Sequence, residues 1–187
     1  MTEAEFVAAV LRNPTNATVL ARLPELGIDD AWLVSGALFQ TVWNVITHRP
    51  PEHGIRDYDI FYFDPDTSWD AENAVIARAR DLFRDVDAAI EIRNQARVHL
   101  WYEAKYGMPY PPLARTTDGI DRFLMPNAQV GICRNREGID VYAPRGFDDI
   151  ERMIVRPNRT PNFRSVAYFE KAERWKTHWP EITILPA

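Results

Sequence analysis

The sequence predicts an α/β (α+β) fold: a small mixed sheet flanked by helices, with helical additions at both ends. Three observations predict it. Short apolar segments alternate with segments whose apolar residues recur at helical spacing. A strand, a small-residue turn and a helix follow one another directly at 31–47. The composition, 46% apolar and 26% charged, lies in the range of globular chains.

Each element follows from local pattern. Phe6, Val7, Val10 and Leu11 recur at helical spacing, Pro14 interrupts, and 18–26 reads as a second helix ended by Gly27. Residues 31–34 form a turn-bounded strand, Ser35-Gly36 the turn, and 37–47 a helix with Leu38, Val42, Val45 and Ile46 on one face. After a proline-rich loop, 57–63 reads as a strand rich in aromatic and β-branched residues. Thr67 to Asp70 fits a capping box for a helix carrying Val75, Ala79 and Leu82. Residues 86–92 form a third strand, with Ala88, Ile90 and Ile92 on one face and Glu91 and Arg93 on the other. Residues 95–106 are helical with Gly107 as C-cap, a short helix lies near 117–124, 128–133 and 139–142 form a hairpin, and 163–175 is a helix. The chain of 187 residues reads as one domain over 1–187, its core at about 28–145, with a basic helical extension over about 146–187.

Much familiar chemistry is excluded. There are 8 glycines and no GxGxxG or GxxxxGK[ST] run, so no Rossmann site or P-loop is expected. There is no GxSxG elbow and no HExxH pair. The single cysteine, Cys133, rules out an internal disulfide and a thiolate zinc site, and it reads as an inert core residue. No apolar run approaches the ~18 residues of a membrane span, and the first residues are acidic, so the expectation is a cytoplasmic protein with no membrane partner. Net charge is −5 but uneven. Residues 1–150 carry 15 basic and 23 acidic side chains, whereas 151–187 carry 7 and 4. The whole is too acidic to coat long nucleic acid. The basic end suits a phosphate ligand, or packing against an acidic site.

Asp57-Tyr58-Asp59 is the segment with chemical content. On a strand Asp57 and Asp59 project together, while Tyr58, Ile60 and Tyr62 turn into the core. Two carboxylates so close repel unless a cation lies between them, and a hard divalent ion such as Mg²⁺ or Mn²⁺ meets that need. Two solvated aspartates at an exposed strand end are the alternative.

The order of features resembles the nucleotidyltransferase superfamily related to DNA polymerase β. In that pattern a glycine-containing turn ends the first strand, two acids open the second and a third acid stands on a neighbouring strand. Here these are Ser35-Gly36, Asp57 with Asp59, and Glu91. The runs Val42-Trp43-Asn44, 55–64, 91–102, Tyr142-Ala143-Pro144 and Arg156-Pro157-Asn158 look like a family of bacterial nucleotidyltransferase-like proteins. The resemblance implies the nucleotidyltransferase fold and an enzyme that moves a nucleoside monophosphate from a triphosphate such as ATP to an acceptor hydroxyl, releasing pyrophosphate. It implies Asp57, Asp59 and Glu91 as catalytic residues and metal ligands, and Ser35, Gly36, Arg93 and Arg97 as nucleotide-binding residues. The acceptor is left open among a small molecule, a protein side chain and an RNA end, and so is the oligomeric state. A binding module without turnover is the second reading, favoured by Ala37 after Gly36. A metal-dependent phosphohydrolase is the third. Asn94 and His99 read either as ligand contacts or as buried hydrogen bonding. Trp43 and Trp101 read as core, with nucleobase platforms as the alternative. Arg156 reads as a loop anchor.

Overall fold

The computed structural model describes residues 1–136 and 138–187. It opens with α1 (Glu3–Val10), whose capping box is reciprocal: Thr2 Oγ1 accepts from the Glu5 N–H and the Glu5 carboxylate accepts from the Thr2 N–H. Pro14 opens α2 (Pro14–Arg22) and interrupts nothing inside it. At the first helical position its missing N–H costs nothing, and Asn13 Oδ1 caps Thr15 and Asn16. A 3₁₀ turn (Leu23–Leu26) continues to Gly27, which ends it in the left-handed conformation, φ 66°.

Then come β1 (Trp32–Val34), α3 (Gly36–Ile46), β2 (Tyr58–Tyr62), α4 (Trp69–Leu82) and β3 (Ile90–Asn94). The N-cap of α4 is Ser68, which accepts from the Ala71 N–H; the capping box expected from Thr67 does not form, since the residue three on from Ser68 is alanine and the Ser68 N–H donates to Asp66 Oδ1 instead. A 3₁₀ turn (Gln95–Arg97) leads into α5 (Val98–Tyr106), ended by Gly107 at φ 69°. The remainder is α6 (Thr116–Asp121), the hairpin β4 (Gly131–Arg134) and β5 (Ile139–Tyr142), α7 (Asp148–Glu151), β6 (Ile154–Val155), α8 (Ser165–His178) and β7 (Thr183–Ile184). Glu137, in the expected hairpin connection, lies outside the described residues. The pair β6–β7 was not legible in the sequence, because two-residue strands carry no periodicity.

The main sheet has the order β3-β2-β1-β4-β5. Only β2 and β3 pair in parallel, joined by the α4 crossover; the other neighbours are antiparallel. Register separates the faces. Ile92, Ile60, Leu33 and Ile132 form one row across four strands, each at most 3% exposed. The next row holds Glu91, Asp59, Val34 and Gly131, on the opposite face. The apolar face packs on α3, which is buried nearly all round. Behind α3, Trp43 meets Phe39, Trp175 and Trp179 edge to face, at ring separations of 4.7, 5.9 and 5.5 Å. Trp43 Nε1 donates to the Ile150 carbonyl and Trp179 Nε1 to Asn44 Oδ1. One apolar cluster therefore runs from Phe6 to Ile182 and includes residues of α8.

Candidate functional site

The acids sit where β2 begins. The Tyr58 N–H donates to the Ala89 carbonyl at 2.8 Å, which starts the parallel ladder and makes Glu91 the partner of Asp59. Asp59 and Glu91 therefore project side by side from the same face, and Asp57, two residues back, shares it. Tyr58, Ile60 and Tyr62 are buried on the other side. Burial pushes the Asp59 carboxyl up to about 7; Asp57 and Glu91 push it the same way, while Lys171 and Arg93 oppose them. Glu91 pairs with Arg93 on its own strand at 3.2 Å. Among the described residues no group of three or more His, Cys, Asp or Glu side chains is drawn together closely enough to cage a metal. The three acids thus share a face and a field without forming a closed cluster. That donor set still suits Mg²⁺, which commonly takes one or two carboxylates and completes its shell with water and substrate phosphate oxygens.

The Ser35-Gly36 turn lies next to them. Val34 is the β1 partner of Asp59, and Ser35 follows it. The unusual backbone falls on Ser35, at φ 55° and ψ −116°, and not on the glycine. The Ser35 carbonyl accepts from the Leu38 and Phe39 N–H groups, so it starts α3. The first N–H groups of a helix have no partner within it, so Gly36 and Ala37 present theirs beside the strand end that bears Asp57 and Asp59.

The arginines divide. Arg93 lines the cleft in front of Asp59 and Glu91. Arg97 does not: its guanidinium is buried against Glu72 at 3.2 Å, bonds the Ser68 carbonyl and lies 5.3 Å from the Trp69 ring centroid. Glu72 also accepts from the Asn94 N–H. Asn94 Oδ1 accepts from Asp64 and Ala96, and its Nδ2 donates back to the Asp64 carbonyl. Arg97 and Asn94 hold the ends of β2 and β3 together. Arg156 makes a two-pronged bond to Asp149, which anchors its loop to α7. Burial and Asp140 push the Cys133 thiol up to about 11, so it stays protonated.

The cleft has a volume of about 450 Å³. Its carboxylates are Asp59, Glu91 and Glu170; its cations are Arg93, Lys105, Arg122, Arg164 and Lys171. Trp101, Tyr102, Tyr106 and Tyr110 line it as well. Trp43 is core, as expected, whereas Trp101 lines the cleft. Lys171 belongs to the basic end of the chain. Its ammonium is depressed by burial and by Arg174, against the pull of Asp59 and Asp57. The basic tail is legible in the sequence, but no spacing or pattern sets Lys171 apart within it. A second, more open hollow of about 550 Å³ lies beyond Arg122, lined by Asp121, Gln129 and Asn158 among others; none of the three acids reaches it.

The fold agrees with a solved structure. A solved NMR structure, described as revealing a CCA-adding enzyme head domain, superposes with a TM-score of 0.79 over 100% of this chain and 97% of that one, at 24% identity. That likeness shows the nucleotidyltransferase fold. A search of the curated proteins finds no match. A nucleotidyltransferase family model matches residues 21–184, and the chain belongs to that family.

Proposed function

We propose that this nucleotidyltransferase transfers a nucleoside monophosphate from a triphosphate to an acceptor hydroxyl, with Mg²⁺ or Mn²⁺, and releases pyrophosphate. The observation that carries the reading is the pairing of Asp59 with Glu91 across parallel strands, with Asp57 two residues earlier on the same face. Asp57 and Asp59 would hold the metal together with phosphate oxygens. When bound, the ion would neutralise the carboxylates and stabilise charge on the attacking and leaving oxygens. Glu91, on the edge strand β3, would orient the acceptor hydroxyl and take its proton. The hydroxyl oxygen bonds to the α-phosphorus, and the bond from that phosphorus to the bridging oxygen breaks. The N–H groups of Gly36 and Ala37 would meet phosphate oxygens at the helix start, and Arg93 and Lys171 would balance the leaving pyrophosphate.

The test is incubation of the protein with α-labelled triphosphates, Mg²⁺ or Mn²⁺, and separate pools of metabolites, proteins and short RNA. Pyrophosphate release with label retained on an acceptor is the expected result, lost in Asp59→Asn. Release of inorganic phosphate alone would replace transfer with hydrolysis. Metal-dependent triphosphate binding without turnover in any pool would leave a binding module.

A further inference from the structure

Two cations of the cleft, Arg93 and Lys171, act on Asp59. Three others, Lys105, Arg122 and Arg164, line the same cleft and gather around its tyrosines. Lys105 comes from the last turn of α5, Arg122 from the end of α6 and Arg164 from the start of α8. Lys105 Nζ stands 5.3 Å from the Tyr106 ring centroid and Arg122 Cζ 5.8 Å from that of Tyr110. Arg164 Nη1 donates to the Tyr106 carbonyl at 3.3 Å. Tyr102 joins the group, 4.7 Å from Tyr106 and 4.4 Å from Tyr110, ring centre to ring centre. Among the described residues none of these three cations has an ion-pair partner, whereas Arg22, Arg49, Arg115 and Arg156 each take a carboxylate. Besides Asp59 and Glu91, Glu170 is the one carboxylate among the described residues that line the cleft. Arg122 and Arg164 are half-buried, and a guanidinium drawn out of water without a counter-ion is costly unless an anion arrives to meet it. Its planar fork matches phosphate oxygens.

The sheet order says which substrate meets them. The phosphate turn follows β1, Asp59 stands on the middle strand β2, and Glu91 on the edge strand β3. A triphosphate held by the Gly36 and Ala37 N–H groups lies toward β1. An acceptor hydroxyl oriented by Glu91 comes from the β3 side, and α5 follows β3 through a single 3₁₀ turn. Phe61, two residues along β2 from Asp59, stacks on Phe123 at 5.5 Å, which brings Arg122 over the same side.

We propose that the acceptor is a small phosphorylated compound, its phosphate held by Lys105, Arg122 and Arg164 while its hydroxyl meets Glu91. The phosphate is only a handle. The hydroxyl oxygen bonds to the α-phosphorus, pyrophosphate leaves and the proton passes to Glu91. A cationic acceptor would meet a wall of its own sign. A cavity of about 450 Å³ takes a small molecule, and a net charge of −5 disfavours an RNA end. The inference rests on the transfer reading for the triphosphate, but it concerns the substrate which that reading leaves open.

The first test is titration calorimetry with inorganic phosphate on the full chain, saturated with Mg²⁺ and an α,β-methylene triphosphate, at constant ionic strength. Phosphate should bind the loaded protein. Arg122→Met and Arg164→Met should each weaken it about 10-fold and leave the analogue within about 5-fold of wild type, with circular dichroism confirming that both variants fold. The second test offers α-labelled triphosphate and a metabolite pool, half of it pretreated with a phosphatase that is removed beforehand. Label should reach small molecules in the untreated half only. Failure of phosphate to bind the loaded wild type overturns the site, and so does a loss of analogue as large as the loss of phosphate, which would assign these cations to the triphosphate. Equal labelling of both halves overturns the need for a phosphate, and label found on added RNA instead overturns the small molecule. In all four cases the transfer reading stands. Absence of analogue binding, or of labelling in every pool, removes the transfer reading and this acceptor with it.

Discussion

Asp59 and Arg97 show how residues of similar promise separate once their surroundings are known. Replacing Asp59 with Asn should lower transfer about 100-fold or more, since even groups that only hold a metal ligand in place contribute 10–100-fold. The same change should leave the metal-free protein as stable or more so, because the repelling charge is gone. The sign follows from its carboxyl, raised from 3.8 to about 7 in the folded protein. The native state binds the proton more tightly than the unfolded chain, so its contribution is complete below about pH 4. That contribution is lost as pH rises through 7. Thermal melts in a chelator from pH 4 to 8 should show the wild type falling relative to Asp59→Asn across that window. A constant difference would contradict the assignment. Arg97 behaves oppositely. Its side chain and that of Glu72 are each 9% exposed, and Arg97→Met would strand the carboxylate. Denaturant unfolding should register a loss of about 3–5 kcal/mol, while activity per folded molecule stays within a few-fold of wild type. The strand pattern makes Asp59 a candidate and the family resemblance adds Arg97; burial and partners, which separate the two, are not visible in a one-dimensional pattern.

At the scale of elements, the β1–turn–α3 unit was readable to within a residue because a short apolar run, a serine-glycine turn and a helical stripe occur in sequence. The location of its unusual backbone was not readable. A glycine in a turn invites the assumption that it bears the strain, yet Ser35 has φ 55° and Gly36 opens an ordinary helix. Ser35→Gly should therefore raise stability by about 1 kcal/mol in chemical denaturation, with triphosphate affinity little changed if the adjoining N–H groups make the contact. A fall in stability would mean that the serine side chain contributes more than its backbone costs. The parity of β3 was legible from its alternation, so Glu91 could be assigned a face in advance. Its register with Asp59 was not, because strand alternation says nothing about which neighbour it meets. Trp101 reads as core from the sequence for a related reason: an aromatic residue in a helix has the same pattern whether it faces a core or a cavity.

For the whole molecule, α8 connects stability to chemistry. Trp175 of α8 and Trp179, which caps its C-terminus, pack on Trp43, and the same helix carries Lys171 to the acids. Trp179→Ala should cost about 3–5 kcal/mol, as large-to-small core changes do, and should depress activity beyond what the remaining folded fraction explains. Lys171→Met should instead keep the melting temperature near or above wild type while raising KM for the triphosphate. Together the two variants distinguish docking of the helix from the charge it delivers. The lysine stands 112 residues beyond Asp59 in the chain. During synthesis Arg93, Lys105 and Arg122 of the cleft emerge before Lys171, so a growing chain that lacks α8 lacks one of the cations that oppose the Asp59 carboxylate and the Trp175 packing behind it. Arresting translation before α8 emerges should yield a nascent chain that binds a triphosphate more weakly than the 187-residue chain does.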